Sequence, residues 1–404
     1  MSGDVTAAEA FQLALYRARR NGWSGSDPYD GLLSPLASPV MRLGALPRFA
    51  FSQTVLRFPS FRRMASPPPS VNPKALALFL GAVTRGRRVI GESRAHDFAS
   101  ELLDEIEDSA VPMGSALGWG YPFPWQSRSF WAPANTPNAV VTSMVGWHAL
   151  ECVSALGDTR ATEMAFGAAT FLASRLHTTR EGEGAALSYT EGDRTRVVNI
   201  SALAARLILR VALLKSDRDL EALGTSLLLF VLGAQRPDGS WPYATDPGGA
   251  WMDSFHTGYV IESLMQIRSM GFRVPTEALN RGMAVYRRFF GLDGSARLRL
   301  NDSAPLDAHS AAQGLITFAA LASWEDATPT MRDQAFQVAS SIADWALREL
   351  WIPDEDHFAY RIQNGRRDER EFLRWAQAWM ALAMATAGSL RPAEQLEPAT
   401  AGVA

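Results

Sequence analysis

The chain has 404 residues, 47% of them hydrophobic, and carries a formal charge of −3. That length suits one large domain or two to three average ones with a sizeable core, and the mild acidity gives no reason to expect nucleic acid. Its single cysteine, Cys152, rules out an internal disulfide framework and any multi-cysteine zinc site.

Residues 1–10 lack the basic-then-apolar pattern of a signal peptide. Apolar runs such as 223–234 are too short to cross a bilayer, so a cytoplasmic protein with no membrane partner is expected. Residues 6–19 place Ala7, Phe11, Leu15 and Ala18 at helical spacing. The stretch 22–70 is rich in turn formers, including Asp27-Pro-Tyr-Asp-Gly31 and Ser66-Pro-Pro-Pro-Ser70. Aromatic and basic residues over 49–63 favour an arm packed on the body. Residues 1–71 are therefore read as an N-terminal helix and packed arm, 72–390 as the main domain, and 391–404 as a disordered C-terminal tail.

From Asn72 onward helical patterns recur at 73–89, 92–108, 137–156, 159–176, 198–214, 217–234, 253–270, 275–290, 306–323, 328–349 and 371–388. Tight connectors alternate with long aromatic-rich loops at 109–136, 177–197, 235–252, 291–305 and 350–370. This spacing describes a repeat of roughly 55 to 60 residues: helix, tight turn, helix, long loop. Six helices are entered from the arm or the long loops but only five lead into the loops, and the amino-terminal helix can supply the missing partner. The predicted fold is all-α, a closed (α/α)6 barrel or toroid of helical hairpins with a long N-terminal arm. Small residues such as Ser201-Ala-Leu-Ala-Ala205 mark the loop-fed helices as the inner ring. Their amino termini would then share one mouth, where unpaired N–H groups and aligned dipoles favour an anion.

Polar residues open each inner helix: Asn135 to Asn138, then Asn199 and Ser201, then Asp253, His256 and Tyr259. Asp307, His309 and Gln313 open the fifth, and Arg374, Trp375 and Gln377 the sixth. Asn138 and Asn199 also suit helix capping. His256 and His309 are either hydrogen-bonded structure or acid/base groups poised near neutral pH; His148 reads as a satisfied core histidine. The loops add Trp125, Gln126, Arg128, Tyr189, Trp241, Tyr243, Trp251, Tyr360 and Arg361. Aromatic rings interleaved with polar groups suit hydroxyl-rich rings such as sugars, or else pin the loops to the barrel. No metal-ligand spacing, phosphate loop or nucleophile elbow occurs, so no metal and no cofactor is expected.

Gln235-Arg-Pro-Asp-Gly-Ser-Trp241 resembles the Gln-Trp repeat of squalene–hopene cyclases and prenyltransferase β subunits, which are α/α toroids. The resemblance implies the fold alone, because the catalytic Asp-rich motifs and zinc ligands of those enzymes are missing. A second resemblance spans most of the chain. Asp27-Pro-Tyr-Asp-Gly-Leu32, Asn72-Pro-Lys-Ala-Leu-Ala77, Gly118-Trp-Gly-Tyr-Pro-Phe-Pro-Trp-Gln-Ser127, Thr136-Pro-Asn138, Asp253-Ser-Phe-His-Thr-Gly258 and Arg374-Trp-Ala-Gln-Ala-Trp379 carry it. They look like a bacterial toroid family of polysaccharide and natural-product gene clusters, some of it mislabelled aminolevulinic acid dehydratase. It implies a sugar context and no particular reaction.

The leading expectation is an enzyme that abstracts a proton from a uronate-type sugar, an epimerase or a lyase acting on a small molecule or oligosaccharide. Helix amino termini with Arg128, Arg361 or Arg374 would neutralise the substrate carboxylate. His256 with Tyr259 or Tyr243 would serve one ring face, and His309 or Tyr189 the other. Glycoside hydrolysis is the alternative, with Asp253 paired to Asp238, Glu191 or Asp307. A terpene-cyclase-like enzyme and a non-catalytic glycan- or protein-binding scaffold remain open.

Overall fold

The computed structural model describes residues 5–127, 130–301 and 303–390. The expected tail 391–404 and Arg128 lie outside them. The chain begins with α1 (Ala7–Arg20), closed by a capping box between Thr6 and Glu9. Two short helices follow in the arm, α2 (Ala45–Arg57) and α3 (Pro59–Ala65), where the sequence reading leaves irregular chain. Five hairpins come next: α4 (Pro73–Ile90) with α5 (Glu92–Asp108), α6 (Ala139–Leu156) with α7 (Arg160–Ser174), and α8 (Val198–Lys215) with α9 (Arg218–Gly233). Then come α10 (Ser254–Ser269) with α11 (Thr276–Arg287) and α12 (Ala308–Ala322) with α13 (Pro329–Glu349). A π-helical stretch, Leu373–Ala378, leads into α14 (Trp379–Ala387).

Burial decides which helix of each pair lies inside. Fourteen of the eighteen residues of α8 are buried, against five of the sixteen of its partner α9. A helix that is apolar nearly all round must be covered on every side, whereas one with a polar face can meet water. Among the described residues the inner helices are α4, α6, α8, α10, α12 and α14; each packs on the next, and α14 returns to α4. The ring closes as the repeat count predicts. Its last outer position is filled by α1, which packs on α14. Helix α6 is long and apolar enough to cross a membrane, contrary to the sequence reading, but 67% of it is buried as an inner stave.

One backbone contact recurs around the ring. The first N–H of each inner helix donates to a carbonyl in the loop of the neighbouring unit: Ala139 to Tyr189 at 2.9 Å, Val198 to Tyr243 at 2.9 Å, Ser254 to Leu298 at 3.0 Å and Ala308 to Tyr360 at 3.2 Å. Leu373 donates likewise to Ser26 of the arm, at 2.9 Å. Helix α4 opens on Pro73, which has no N–H to satisfy. Side-chain caps take a further donor each, Asn138 from Val141, Asp253 from His256 and Asp307 from Ser310. The anion cradle expected from free helix termini is therefore largely occupied by the protein itself, which corrects that expectation.

The loops carry short antiparallel pairs, among them Trp125–Gln126 with Trp131–Ala132 and Thr178–Glu181 with Gly184–Leu187. Arg361–Gln363 lies between Leu306–Asp307 and Arg366–Asp368 in a three-stranded sheet. The Gln-Trp-like segment is a structural clasp. Gln235 Nε2 donates to Gly239 O at 3.1 Å and to Ala278 O at 2.8 Å, tying the end of α9 to α11. Gly239 has φ +88°, and a Cβ there would sit 2.7 Å from Arg281 O, so this turn requires glycine. Trp241 is buried, donates from Nε1 to Val231 O at 2.9 Å and lies against Gly282. Its assignment as a sugar platform is corrected: the ring faces the helices, not the mouth. Trp241→Ala is expected to cost about 3–5 kcal/mol of stability, measured by denaturant unfolding, with the greatest loss of amide protection in α9 and α11.

Candidate active site

The amino-terminal ends of the inner helices converge on one cluster of aromatic and charged side chains. Its anchor is a buried ion pair between the arm and the start of the last inner helix. Arg374 donates from Nε and Nη2 to the two carboxylate oxygens of Asp27, at 2.6 and 2.8 Å, and both residues are almost fully buried. The π-helical turn widens the backbone here and aims neighbouring residues in different directions. Arg374 faces the arm, while Trp375 donates from Nε1 to Asp307 at 3.1 Å. Burial opposes the charge on Arg374, but the Asp27 carboxylate outweighs it and holds the guanidinium more firmly protonated. Arg374 is thus committed to Asp27 and is not a free carboxylate receptor, a second correction.

Ring contacts join the mouth into one body. Arg374 lies 5.1 Å over Tyr121, which meets Trp125 at 6.2 Å, and Trp125 meets Tyr189 at 5.4 Å. On the other side Trp375 contacts Phe255 at 5.4 Å and His309 at 4.9 Å. Both imidazoles touch Phe255, His256 and His309 each at 4.2 Å. At the rim Tyr243 stacks on Trp251 at 4.2 Å and presents its edge to His256 at 4.9 Å. These contacts join Trp125, His309 and the Asp253 turn, from three different segments, into one side-chain cluster.

The histidines differ in depth. His256 retains 21% side-chain exposure; Asp253 accepts from its backbone N at 3.0 Å and pairs with its Nδ1 at 2.9 Å. With Asp253 fixing the proton on Nδ1, Nε2 carries the basic lone pair and has no bond within the described residues. His309 is fully buried, stacked between Phe255 and Trp379. Its expected place on the opposite face of a substrate is corrected, because the ring of Phe255 from the neighbouring helix covers it.

Behind His309 lies a chain of polar groups that sequence reasoning missed. Lys74 Nζ donates to Tyr259 Oη at 3.5 Å, and Tyr259 Oη is hydrogen-bonded to His309 Nε2 at 2.6 Å. Burial pushes the Lys74 ammonium well below its usual range, and the Arg374 charge pushes it further. Burial, then Lys74 and Arg374, lower His309 well below the ordinary imidazole value, so it stays neutral. The sequence did hold a signal for Lys74. A cation in the first turn of a helix opposes the dipole, so its presence in α4 needs another reason.

The remaining expected residues fall into two groups. Tyr360 is a buried neighbour of Trp375 and Phe372, and Arg361 is half-buried at the edge of the mouth, its Nε without a partner. Gln126 bonds within its own hairpin, to Ser127 O and Phe130 O. Asn138 caps α6, Asn199 is buried in the first turn of α8, and Gln313 points down the barrel to Glu262 at 2.8 Å. Gln126, Asn138 and Gln313 are thus engaged within the protein, whereas the Asn199 amide nitrogen has no partner among the described residues. Asp238 caps the Ser240 turn, and Glu191 pairs with Arg175 at the surface. Asp307 is buried, and burial pushes its carboxyl up to about 6, against the bonds from Trp375 and Ser310. Among the described residues no cluster of metal-ligating side chains occurs. Two cavities, of about 410 and 450 Å³, open at the other end of the barrel, sharing Arg85, Arg87 and Gln266.

No family model matches the chain, and no curated protein matches it in sequence. Solved structures do. An unsaturated glucuronyl hydrolase specific for heparin is similar at TM-score 0.61 and 10% identity, covering 96% of this chain and 98% of its own. A GH76 α-mannanase from Bacteroides thetaiotaomicron reaches 0.59 at 11% identity, over 78% of this chain and 86% of its own. The cellobiose 2-epimerase from Spirochaeta thermophila reaches 0.56 at 13% identity, over 78% and 85%. The likeness is one of fold. All are (α/α)6 toroids.

Two outcomes test this description. Arg374→Met leaves Asp27 charged and buried without its partner, so a loss of about 3–5 kcal/mol is expected, with faster tryptic cleavage in residues 31–71. The folded pKa of Asp307, about 6, lies above its ordinary 3.8, so its contribution is full at low pH and lost as pH rises through 6. Asp307→Asn keeps the helix cap but removes this titration. Its melting temperature is expected to fall less between pH 4 and 6.5 than that of the natural chain.

Proposed function

We propose that this chain is a carbohydrate-active enzyme that removes a proton from a uronate-type sugar, as an epimerase or a lyase. The observation that carries the reading is the Asp253–His256 pair, with Nδ1 held at 2.9 Å and Nε2 free beside the stacked Tyr243 and Trp251 rings. Abstraction of a proton α to a carboxylate sends its electron pair into an enediolate, whose charge must be met. Arg361, half-buried and without an ion pair among the described residues, is suited to that carboxylate. Burial raises the phenols of Tyr243 and Tyr189, which keeps both protonated as donors. A phenol would return the proton to the opposite face in an epimerase or protonate the leaving oxygen in a lyase. The fold neighbours, which include an epimerase and a glucuronyl hydrolase, are compatible with this substrate class. So is the resemblance of the sequence to the bacterial polysaccharide-cluster family.

Glycoside hydrolysis is the second reading, favoured by Asp307, whose carboxyl holds its proton to about pH 6 and could act as an acid opposite Asp253. Incubation with uronate-containing oligosaccharides in deuterated water separates the two. Deuterium at a ring carbon, lost with His256→Ala by about 10²–10⁴ in rate, is the expected result. New reducing ends without deuterium would move the assignment to hydrolysis. Tight glycan binding without turnover, unchanged in His256→Ala, would sink both.

A further inference from the structure

The N-terminal arm has a surface that no other described residue covers. Between Gly31 and Val71 the chain has five arginines and no acidic residue, although the whole protein is acidic. In α2 seven of thirteen residues are hydrophobic, yet only Val55 is fully buried. Leu36, Leu43, Leu46, Phe58 and Met64 stand exposed, Leu46 at 82%. Interleaved with them are Arg42, Arg57 and Arg63, also exposed and making no ion pair among the described residues. Isolated surface leucines are ordinary, but this concentration within one short segment marks an interaction surface.

We infer that the arm docks the protein onto an anionic lipid surface. Apolar side chains enter the boundary between headgroups and acyl chains, while the guanidinium groups meet lipid phosphates. A second copy joined through the same patch would bring unpaired arginines against unpaired arginines, with no carboxylate between Gly31 and Val71 to compensate them. The expectation of no membrane partner rested on the lack of a spanning segment; a helix lying on a membrane needs none. The arm also borders the mouth. Helix α2 packs on the Trp125–Gln126 strand, Arg48 lies 4.3 Å over Trp131, and Arg370 donates to Leu56 O at 2.8 Å. The surface therefore flanks the site, whatever chemistry the site performs.

The test is co-sedimentation of the full chain with vesicles of phosphatidylcholine alone or mixed with phosphatidylglycerol. Binding to the mixed vesicles only, weakened as salt rises and screens the charges, is expected. A Leu46→Glu, Phe58→Glu double variant is expected to lose about tenfold or more in partitioning. Leu292→Glu alters a side chain 93% exposed elsewhere and should bind like the natural chain; melting curves verify that both variants fold. Absence of binding to mixed vesicles, or an equal loss in Leu292→Glu, overturns the inference. So does a dimer seen by light scattering that dissolves in the double variant without any vesicle binding, which would make the occupant a second copy.

Discussion

A single hydrogen bond, repeated from unit to unit, underlies the geometry of the mouth. The leading amide of each inner helix that possesses one is taken by a carbonyl from the adjoining loop, and the helix without one begins with proline. A helix end buried without partners would be costly, since every orphan N–H would forfeit its bond to water. Satisfying it from the neighbouring unit makes each loop a spacer between adjacent staves. Tyr189, Tyr243 and Tyr360 accept these bonds through their backbones, which fixes where their rings stand. Aromatic content at the mouth is thus coupled to ring assembly, and the side chains come to the site with their main chain already anchored.

The second constraint is the shortage of water around the charges. Arg374 and Asp27 neutralise each other in the interior, and the positive guanidinium then sets the state of its surroundings. Lys74 and His309 both lose proton affinity to burial and to that charge, with the Tyr259 phenol hydrogen-bonded between them. His256 differs in being only half-buried and in pairing directly with Asp253.

The helices were legible because their signals are local. Apolar residues at helical spacing placed the starts of α4, α5 and α8 at the positions found, and the odd helix count pointed to α1 as the closing partner. Helices α2 and α3 left no such trace, since their apolar residues follow no face. The loop hairpins are too short to show alternation. In the candidate site, the residues of the Asp253 turn lie one helical turn apart, a spacing that is visible in sequence. What sequence could not supply was depth and direction. Phe255 shields His309 from another helix, Trp241 turns inward, and the partner of Arg374 is 347 positions away.

Closure of the ring by α1 and α14 has a consequence for how the molecule is made. During synthesis α1 and the free flank of α4 emerge before the rest of the described ring, while the helix that covers both is the last of the described elements to appear. The Arg17–Glu371 and Arg374–Asp27 pairs join residues some 350 positions apart, so neither forms before residues 371–374 have been made. Until then the nascent chain holds an open crescent with an apolar edge at each tip, the kind of surface that chaperones hold and that neighbouring chains can capture.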